Sequence, residues 1–342
     1  MKAIVYDAPR KFEYRDVDDP RVQADEVLIR VDACGLCGTD LHIHEGDFAP
    51  RFPLIPGHEF TGEIVQLGSE VTGLRTGQHA VGNSNQACGK CFYCRRGNFL
   101  FCEALAAYGV TMNGGFADYL KIKADRVFPV TNLSPREAVM VEPTACALHG
   151  MKTLQMNPGS SVLLFGAGPT GQVLAQLLKL NGAARLTVAA PPGPKLDLVA
   201  RLAADDVVAI DRNDPEVHRR RLRELSPNGF DCVVEATGVP TLCEESVQFA
   251  RRGGTILVYG VYPEKAFVQF NPFDIFRREL SIKGSFAQID CFEPALAYLE
   301  GGRIKVDEIV THEVPLRYFR KALELAWARQ GIKMALVPGL SG

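Results

Sequence analysis

The sequence predicts an α/β chain in two parts, a mostly-β amino-terminal half followed by a doubly wound parallel sheet. Three observations carry this. The length of 342 residues, at roughly 150 residues per domain, gives two domains, each long enough for its own core. The first part reads as short apolar or alternating runs set between Gly, Pro and Asp. From Ser160 onward, buried strands alternate with helical patterns, which calls for a parallel sheet covered by helices on both faces.

The elements follow in order. KAIVYDA (2–8), EVLIRVDAC (26–34), GEIVQLG (62–68) and DYLKIK (118–123) are strand-length runs bounded by turn residues. SSVLLFGAG is a buried strand, and PTGQVLAQLLKLNG continues with helical period to a stop at Asn181-Gly182. The pattern then repeats: strand 186–190, helix 195–203, strand 205–210, helix 215–226, strand 230–237, helix 241–250, strand 254–260. Two more helical stretches, 291–302 and 316–331, precede a last apolar strand, KMALVPG. The basic run Arg219-Arg220-Arg221-Leu222-Arg223 lies beside Glu216 and Glu224 and reads as a solvated helix face.

Composition removes several function classes. Lys plus Arg (38) against Asp plus Glu (40) leaves a formal charge of −2, which argues against a nucleic-acid partner. The longest uncharged run, 153–178, holds Pro158, Pro169 and four glycines, so it breaks into strand, turn and helix instead of crossing a membrane. The first residues, MKAIVYDAPRKFEYRD, contain no apolar h-region, and a cytoplasmic location is expected.

Two kinds of motif carry chemistry. Gly166-Ala167-Gly168-Pro169-Thr170-Gly171 is GxGxxG between a strand and a helix. Gly166 permits the tight turn, Gly168 lets a pyrophosphate approach the backbone and Gly171 allows close helix–strand packing, with the phosphates at the helix N-terminus. The ten cysteines are the second signal. Cys88, Cys91, Cys94 and Cys102, spaced C-x2-C-x2-C-x7-C, can close a tetrahedral shell around zinc. Two reduced or disulfide pairs in a loop and a nucleic-acid zinc ribbon are the rival readings; secretion is not expected and glycines and turns let the ligands approach, which disfavours the first, and the few flanking arginines and mildly acidic chain disfavour the second. A dispersed set, Cys37, His58, Glu59 and the later Glu142, offers the roughly three ligands of an open catalytic zinc.

With these pieces assembled, the chain resembles the zinc-dependent medium-chain dehydrogenase/reductase superfamily. G-H-E-x2-G-x5-G-x2-V is present as Gly57, His58, Glu59, Gly62, Gly68 and Val71, and the four-cysteine lobe, GGFADY, GAGPTG and ATG (Ala236 to Gly238) follow in the family's order. The resemblance implies a GroES-like, mostly-β catalytic domain at 1–148 with a structural zinc lobe at 84–105. A Rossmann NAD(P)-binding domain would occupy 149–284, and 285–342 would return to the catalytic domain. It implies Cys37 and His58 as catalytic zinc ligands, with Glu59 and Glu142 both candidates for the third. Asp40 would orient His58, Thr39 and His42 would relay the hydroxyl proton, and the lobe would hold a second zinc. Thr237, Val261 and Ser285 would join Gly166, Gly168, Pro169, Thr170 and Gly171 around the cofactor. Cys34, Cys146, Cys232, Cys243 and Cys291 read as small buried hydrophobes, Cys146 also as a neighbour of the nicotinamide. His44 and His79 have no role and read as surface residues.

Glu142-Pro143 resembles the sorbitol and polyol branch, which implies hydride transfer between NAD(P) and a small-molecule polyol, with a pentitol first and a hexitol such as sorbitol behind it. Two departures stand against a sorbitol site: Ile43 where sorbitol dehydrogenases carry Tyr, and Ala287-Gln288 where they carry Arg-Tyr. Butanediol-like diols, simple secondary alcohols and threonine are the alternative substrates, and a non-catalytic nucleotide-binding protein is the remote one. A homo-oligomer, dimer or tetramer, is expected. The cofactor reading favours NADP over NAD. The position of the ribose-binding carboxylate, roughly 20 residues past the glycines, is Ala190, while Lys195 follows where a 2′-phosphate would sit and Arg212 is a second cation.

Overall fold

The structure, a computed structural model, describes residues 1–48 and 50–340; the last two residues of the returning segment, 341–342, lie outside them. The amino-terminal segment carries β1 (Lys2–Ala8), β2 (Lys11–Asp16), β3 (Glu26–Leu36), α1 (Gly38–Glu45), β4 (Glu59–Leu67), β5 (His79–Gly82), the two-residue strands β6 (Asn85–Gln86) and β7 (Ala106–Ala107), β8 (Tyr119–Lys123), β9 (Val127–Pro129), α2 (Pro135–Ala138) and α3 (Val141–Leu154). The middle segment alternates β10 (Ser161–Phe165), α4 (Pro169–Leu180), β11 (Arg185–Ala190), α5 (Pro194–Leu202), β12 (Asp206–Ala209), α6 (Pro215–Leu225), β13 (Phe230–Glu235), α7 (Pro240–Phe249), β14 (Ala250–Val258), α8 (Pro272–Arg278) and β15 (Ser281–Gly284). α9 (Phe292–Glu300), β16 (Val310–Pro315), α10 (Phe319–Trp327) and β17 (Lys333–Val337) close the chain.

The chain divides into two compact units, Met1–Ala145 with Ile289–Gly342, and Cys146–Gln288. In the first, a seven-stranded sheet runs β16-β17-β3-β4-β5-β9, with β8 also paired to β3. Its core joins the amino-terminal strands (Ile4, Val27, Ile29, Phe60, Phe116) to the carboxyl-terminal segment (Phe319, Leu323, Leu336). β17 pairs antiparallel with β3, Met334 opposite Leu36, so residues about 300 positions apart share one ladder. This pairing is what brings the end of the chain to the candidate site.

The second unit is an all-parallel six-stranded sheet of order β12-β11-β10-β13-β14-β15. The order reverses between β10 and β13, the switch point beside which nucleotides bind in such sheets. Its central strands read as near-unbroken apolar runs because both faces are covered; Val162, Leu163, Leu164 and Phe165 of β10 are all 0% exposed.

Several elements had no counterpart in the sequence reading: β2, α1, β5, β6, β7, β9, α2, α3, α8, β15 and β16. β2 (KFEYRD) alternates only Phe12 and Tyr14 with charged residues and has no residue in the buried class, and β15 is four residues long and exposed or half-exposed throughout, so each carries too short an apolar signal to mark a strand. α1 is short, with little apolar periodicity, and is set by its caps.

Candidate active site

Segments far apart in sequence meet at Cys37, His58 and Glu59. Cys37 is the N-cap of α1, with extended backbone at φ −107° and ψ 161°. Its N–H donates to Asp40 Oδ2 at 2.8 Å, closing a capping box, and Gly46 ends the helix in the left-handed region at φ 94°. His58 follows Gly57 directly and Glu59 opens β4. Gly57 has φ 94°, and a Cβ there would lie 2.5 Å from the Phe116 ring, so no other residue fits ahead of the histidine. One ligand atom from each of Cys37, His58 and Glu59 falls within 4.8 Å of the others.

These groups are taken out of water with several polar atoms left unmatched. Among the described residues, His58 Nδ1, Asp40 Oδ1 and Glu59 Oε1 are buried with no hydrogen-bond partner, a costly arrangement unless a cation satisfies it. A thiol, an imidazole and a carboxylate converging in this way fit zinc. His58 Nδ1 stands 3.8 Å from Asp40 Oδ1. Burial pulls the His58 imidazole down, but Asp40, Cys37 and Glu142 together hold it well above its ordinary value. Burial pushes the Asp40 carboxyl up to about 6.

Lys333, at the start of β17, is 3% exposed and ion-pairs with Glu59. Burial opposes its charge, but Glu59 first, then Cys37 and Asp40, raise its pKa above the ordinary value. Sequence reasoning missed it. The only local signal is a lysine opening the apolar run KMALV, and a terminal charge on a strand is unremarkable by itself. Glu142, half-buried in the first turn of α3, lies outside the three-ligand group, though its charge acts on His58.

On α1, Thr39 Oγ1 is 3.7 Å from Cys37 Sγ, and His42 Nδ1 is 3.1 Å from Asp47 Oδ2. Ile43, the first departure from the sorbitol pattern, is 0% exposed and belongs to the core. His44 corrects the sequence reading: it is 7% exposed, not a surface residue. Its Nδ1 is 2.7 Å from the Tyr6 hydroxyl and its ring packs on Trp327, because the inward face of α1 is turned onto β1 and α10. His79 is exposed and pairs with Asp32 at 3.1 Å. Arg219 also departs from its expected solvated face: half-buried, it donates to Glu245 Oε1 at 2.7 Å. Cys34, Cys232, Cys243 and Cys291 are buried and Cys146 is half-buried.

The four-cysteine lobe is compact and local. Ligand atoms of Cys88, Cys91, Cys94 and Cys102 all lie within 4.8 Å of one another, with Cys91 Sγ and Cys94 Sγ 3.5 Å apart. A tetrahedral zinc with Zn–S bonds of about 2.3 Å holds sulfurs roughly 3.8 Å apart, so the lobe fits the ion. All ten cysteines are free thiols. Backbone N–H groups, that of Cys94 first, pull the Cys91 thiol down to about 6, while burial and then Cys91 push Cys94 up to about 12.

In the second unit, Gly166 has φ 111°, and a Cβ on Gly171 would meet the Gly166 carbonyl at 2.3 Å. Gly168, the N-cap of α4, has nothing within 4 Å of its Cβ position, which leaves its backbone open to a ligand. Pro169 and Thr170 form the first turn of α4. Ala190 ends β11 at 2% exposure, and Lys195 is half-buried in the first turn of α5. Val261 is 48% exposed, and the Ser285 Oγ is buried without a hydrogen-bond partner. Open backbone at a helix N-terminus beside the switch point fits a dinucleotide.

Comparison with known proteins accounts for both units. Residues 23–132 match the alcohol dehydrogenase GroES-like domain and residues 169–300 match the zinc-binding dehydrogenase family. D-arabinitol dehydrogenase 1 of Uromyces fabae is 49% identical over 99% of this chain and 97% of its own length. The chain belongs to the zinc-binding dehydrogenases. D-altritol 5-dehydrogenase of Agrobacterium fabrum is 37% identical to this dehydrogenase, over 84% of this chain and 85% of that protein. A solved structure from Sinorhizobium meliloti, assigned as a zinc-binding dehydrogenase and bound to NADP, superposes on the dehydrogenase with a TM-score of 0.92. It is 31% identical, covering 98% of this chain and 99% of that one. No helix among the described residues is long and apolar enough to cross a membrane.

Proposed function

We propose that this dehydrogenase interconverts a pentitol, arabinitol first, and its ketose, using NADP. The observation that carries the reading is the 49% identity to a D-arabinitol dehydrogenase along nearly the whole chain. Xylitol and hexitols such as sorbitol come next; a diol, a simple secondary alcohol or threonine is the second reading. The catalytic domain is assigned to 1–148 and 285–342 and the cofactor domain to 149–284. A cytoplasmic location is part of the proposal.

In this reading Cys37, His58 and Glu59 hold the catalytic zinc, with Glu142 beside them, and the four-cysteine lobe holds a second. The catalytic ion, when bound, supplies a Lewis acid that makes an alcohol hydroxyl acidic near neutral pH. The chain does the rest. Thr39 accepts the hydroxyl proton and His42, paired with Asp47, passes it to solvent. Asp40 ties the start of α1 to His58, and Lys333 holds Glu59 in place.

Ala190 leaves no carboxylate to repel an adenosine 2′-phosphate, and Lys195 and the exposed Arg212 supply cations near the ends of β11 and β12. Assembly into a homo-oligomer, dimer or tetramer, is supported by β15, which among the described residues has only β14 beside it, and by Phe267, Phe273 and Phe276, which are 90%, 62% and 77% exposed. The test is kcat/KM for a panel of polyols, ketoses, butanediol and threonine with both cofactors. Arabinitol with NADP is expected to lead. Turnover of threonine or butanediol without polyols overturns the substrate, and an NAD preference overturns the cofactor. Lys195→Ala should narrow an NADP preference by roughly 5- to 150-fold, the worth of one charge-assisted phosphate contact.

A further inference from the structure

The carboxylate of Glu235 takes no part in the proposed chemistry, yet it is 0% exposed and carries a dense set of donors. Oε1 accepts from the Thr237 N–H at 2.7 Å and from the Thr237 hydroxyl. Oε2 accepts from the Gly238 N–H at 3.2 Å and from the Tyr262 hydroxyl. The Glu235 carbonyl accepts from the N–H groups of Tyr259 and Gly260 at 2.9 and 2.8 Å. One residue at the end of β13 thus ties together the loop that follows it, 236–238, and the loop after β14, 259–262.

Those loops have no slack. A Cβ on Gly238 would lie 2.0 Å from the Val261 carbonyl, and one on Gly260 would lie 2.2 Å from the Gly238 nitrogen. The first loop also borders the glycine-rich turn, since a Cβ on Gly166 would meet Thr237 Cγ2 at 3.0 Å. Glu235, Thr237 and Gly166 therefore meet at the β10/β13 switch point, where a dinucleotide is expected.

We infer that Glu235 is a positioning residue for the cofactor: its buried carboxylate fixes the Thr237–Gly238 and Tyr259–Tyr262 loops in the shape that receives the nicotinamide dinucleotide. The proposal rests on the dehydrogenase reading above. The donor pattern makes it specific. Each carboxylate oxygen receives one backbone N–H, and backbone donors cannot rotate away. Glu235→Gln must set its NH2 against one of them, donor facing donor, whichever way the amide is turned. Tyr262→Phe removes a rotatable hydroxyl and leaves both N–H groups satisfied.

The test measures NADPH and NADH binding to the zinc-loaded protein by calorimetry or fluorescence, apart from turnover. Glu235→Gln is expected to raise the cofactor Kd and KM by about tenfold or more, and Tyr262→Phe by about threefold. Zinc content and kcat at saturating cofactor should stay within about twofold of the parent in both. Parent-like Kd values in both variants, or lost kcat with an unchanged Kd, overturn the proposal. Should Glu235→Gln fail to fold, Tyr262→Phe decides alone, and an unchanged Kd overturns it. A parent protein that binds neither cofactor overturns the dehydrogenase reading instead.

Discussion

The two candidate metal clusters of this dehydrogenase are built on opposite plans. The four cysteines of the lobe lie within residues 88–102 and contribute one ligand type. The other cluster draws Cys37 from the cap of a helix, His58 from the turn before a strand, Glu59 from the first position of that strand, and the counter-charge Lys333 from the last strand. Four thiolates close a tetrahedron and leave no position for a reactant, so such a site contributes folding energy. Three mixed ligands leave a position open, and two of them face a charged neighbour: Asp40 for His58, Lys333 for Glu59. The lobe can form wherever its own short chain folds. The open site gains its Lys333 counter-charge only once β17 has paired with β3.

That contrast makes separable predictions. Cys37→Ser should cost the most turnover. Losing Lewis-acid stabilisation worth several kcal/mol, at about 1.4 kcal/mol per decade, lowers kcat/KM roughly a thousandfold. Zinc analysis should fall from two ions per chain to one, with the melting temperature little changed. A Cys37→Ser protein that retains two zincs and parent activity would remove this cluster from the chemistry.

Lys333→Met should follow, with a loss of about 10- to 100-fold, the scale for partners that orient metal ligands. It leaves Glu59 buried with no counter-charge except the ion, so zinc should be retained while turnover falls; unchanged kcat would mean that the pair only supports the sheet. Glu142→Gln should fall in the same range with cofactor affinity unchanged. Full turnover at full zinc occupancy would reduce Glu142 to a first-turn helix residue.

Cys91→Ala should have the smallest effect on kcat per folded molecule and the largest on stability. A loss of about 2 kcal/mol lowers the melting temperature of a unit this size by roughly 4–8 °C. A variant as stable as the parent, or one folded but inactive, breaks the division of labour between the clusters.

Much of this was legible before any fold was known, and unevenly so. The β/α alternation from Ser161 to Val258 emerged almost element for element, since strands buried on both faces are written as apolar runs and their helices as amphipathic ones. The four-cysteine lobe was equally plain, because its ligands are neighbours in sequence. α1 was not seen: eight residues with little apolar periodicity are held as a helix by the Cys37–Asp40 capping box and Gly46. His44 was misplaced for the same reason, since its burial comes from Tyr6 and Trp327, at opposite ends of the chain.

The sequence alone determined the class of the protein, its glycine-rich turn and its list of candidate metal ligands, because each is a local pattern of residue types at fixed spacing. The tertiary structure alone decided which charges face one another. Lys333 reaches Glu59 only through the register of β17 on β3, and Glu235 becomes a clamp only when the loops after β13 and β14 close over it. A buried charge is tolerated only where its partners are held, and partners distant in sequence are brought together by long-range packing.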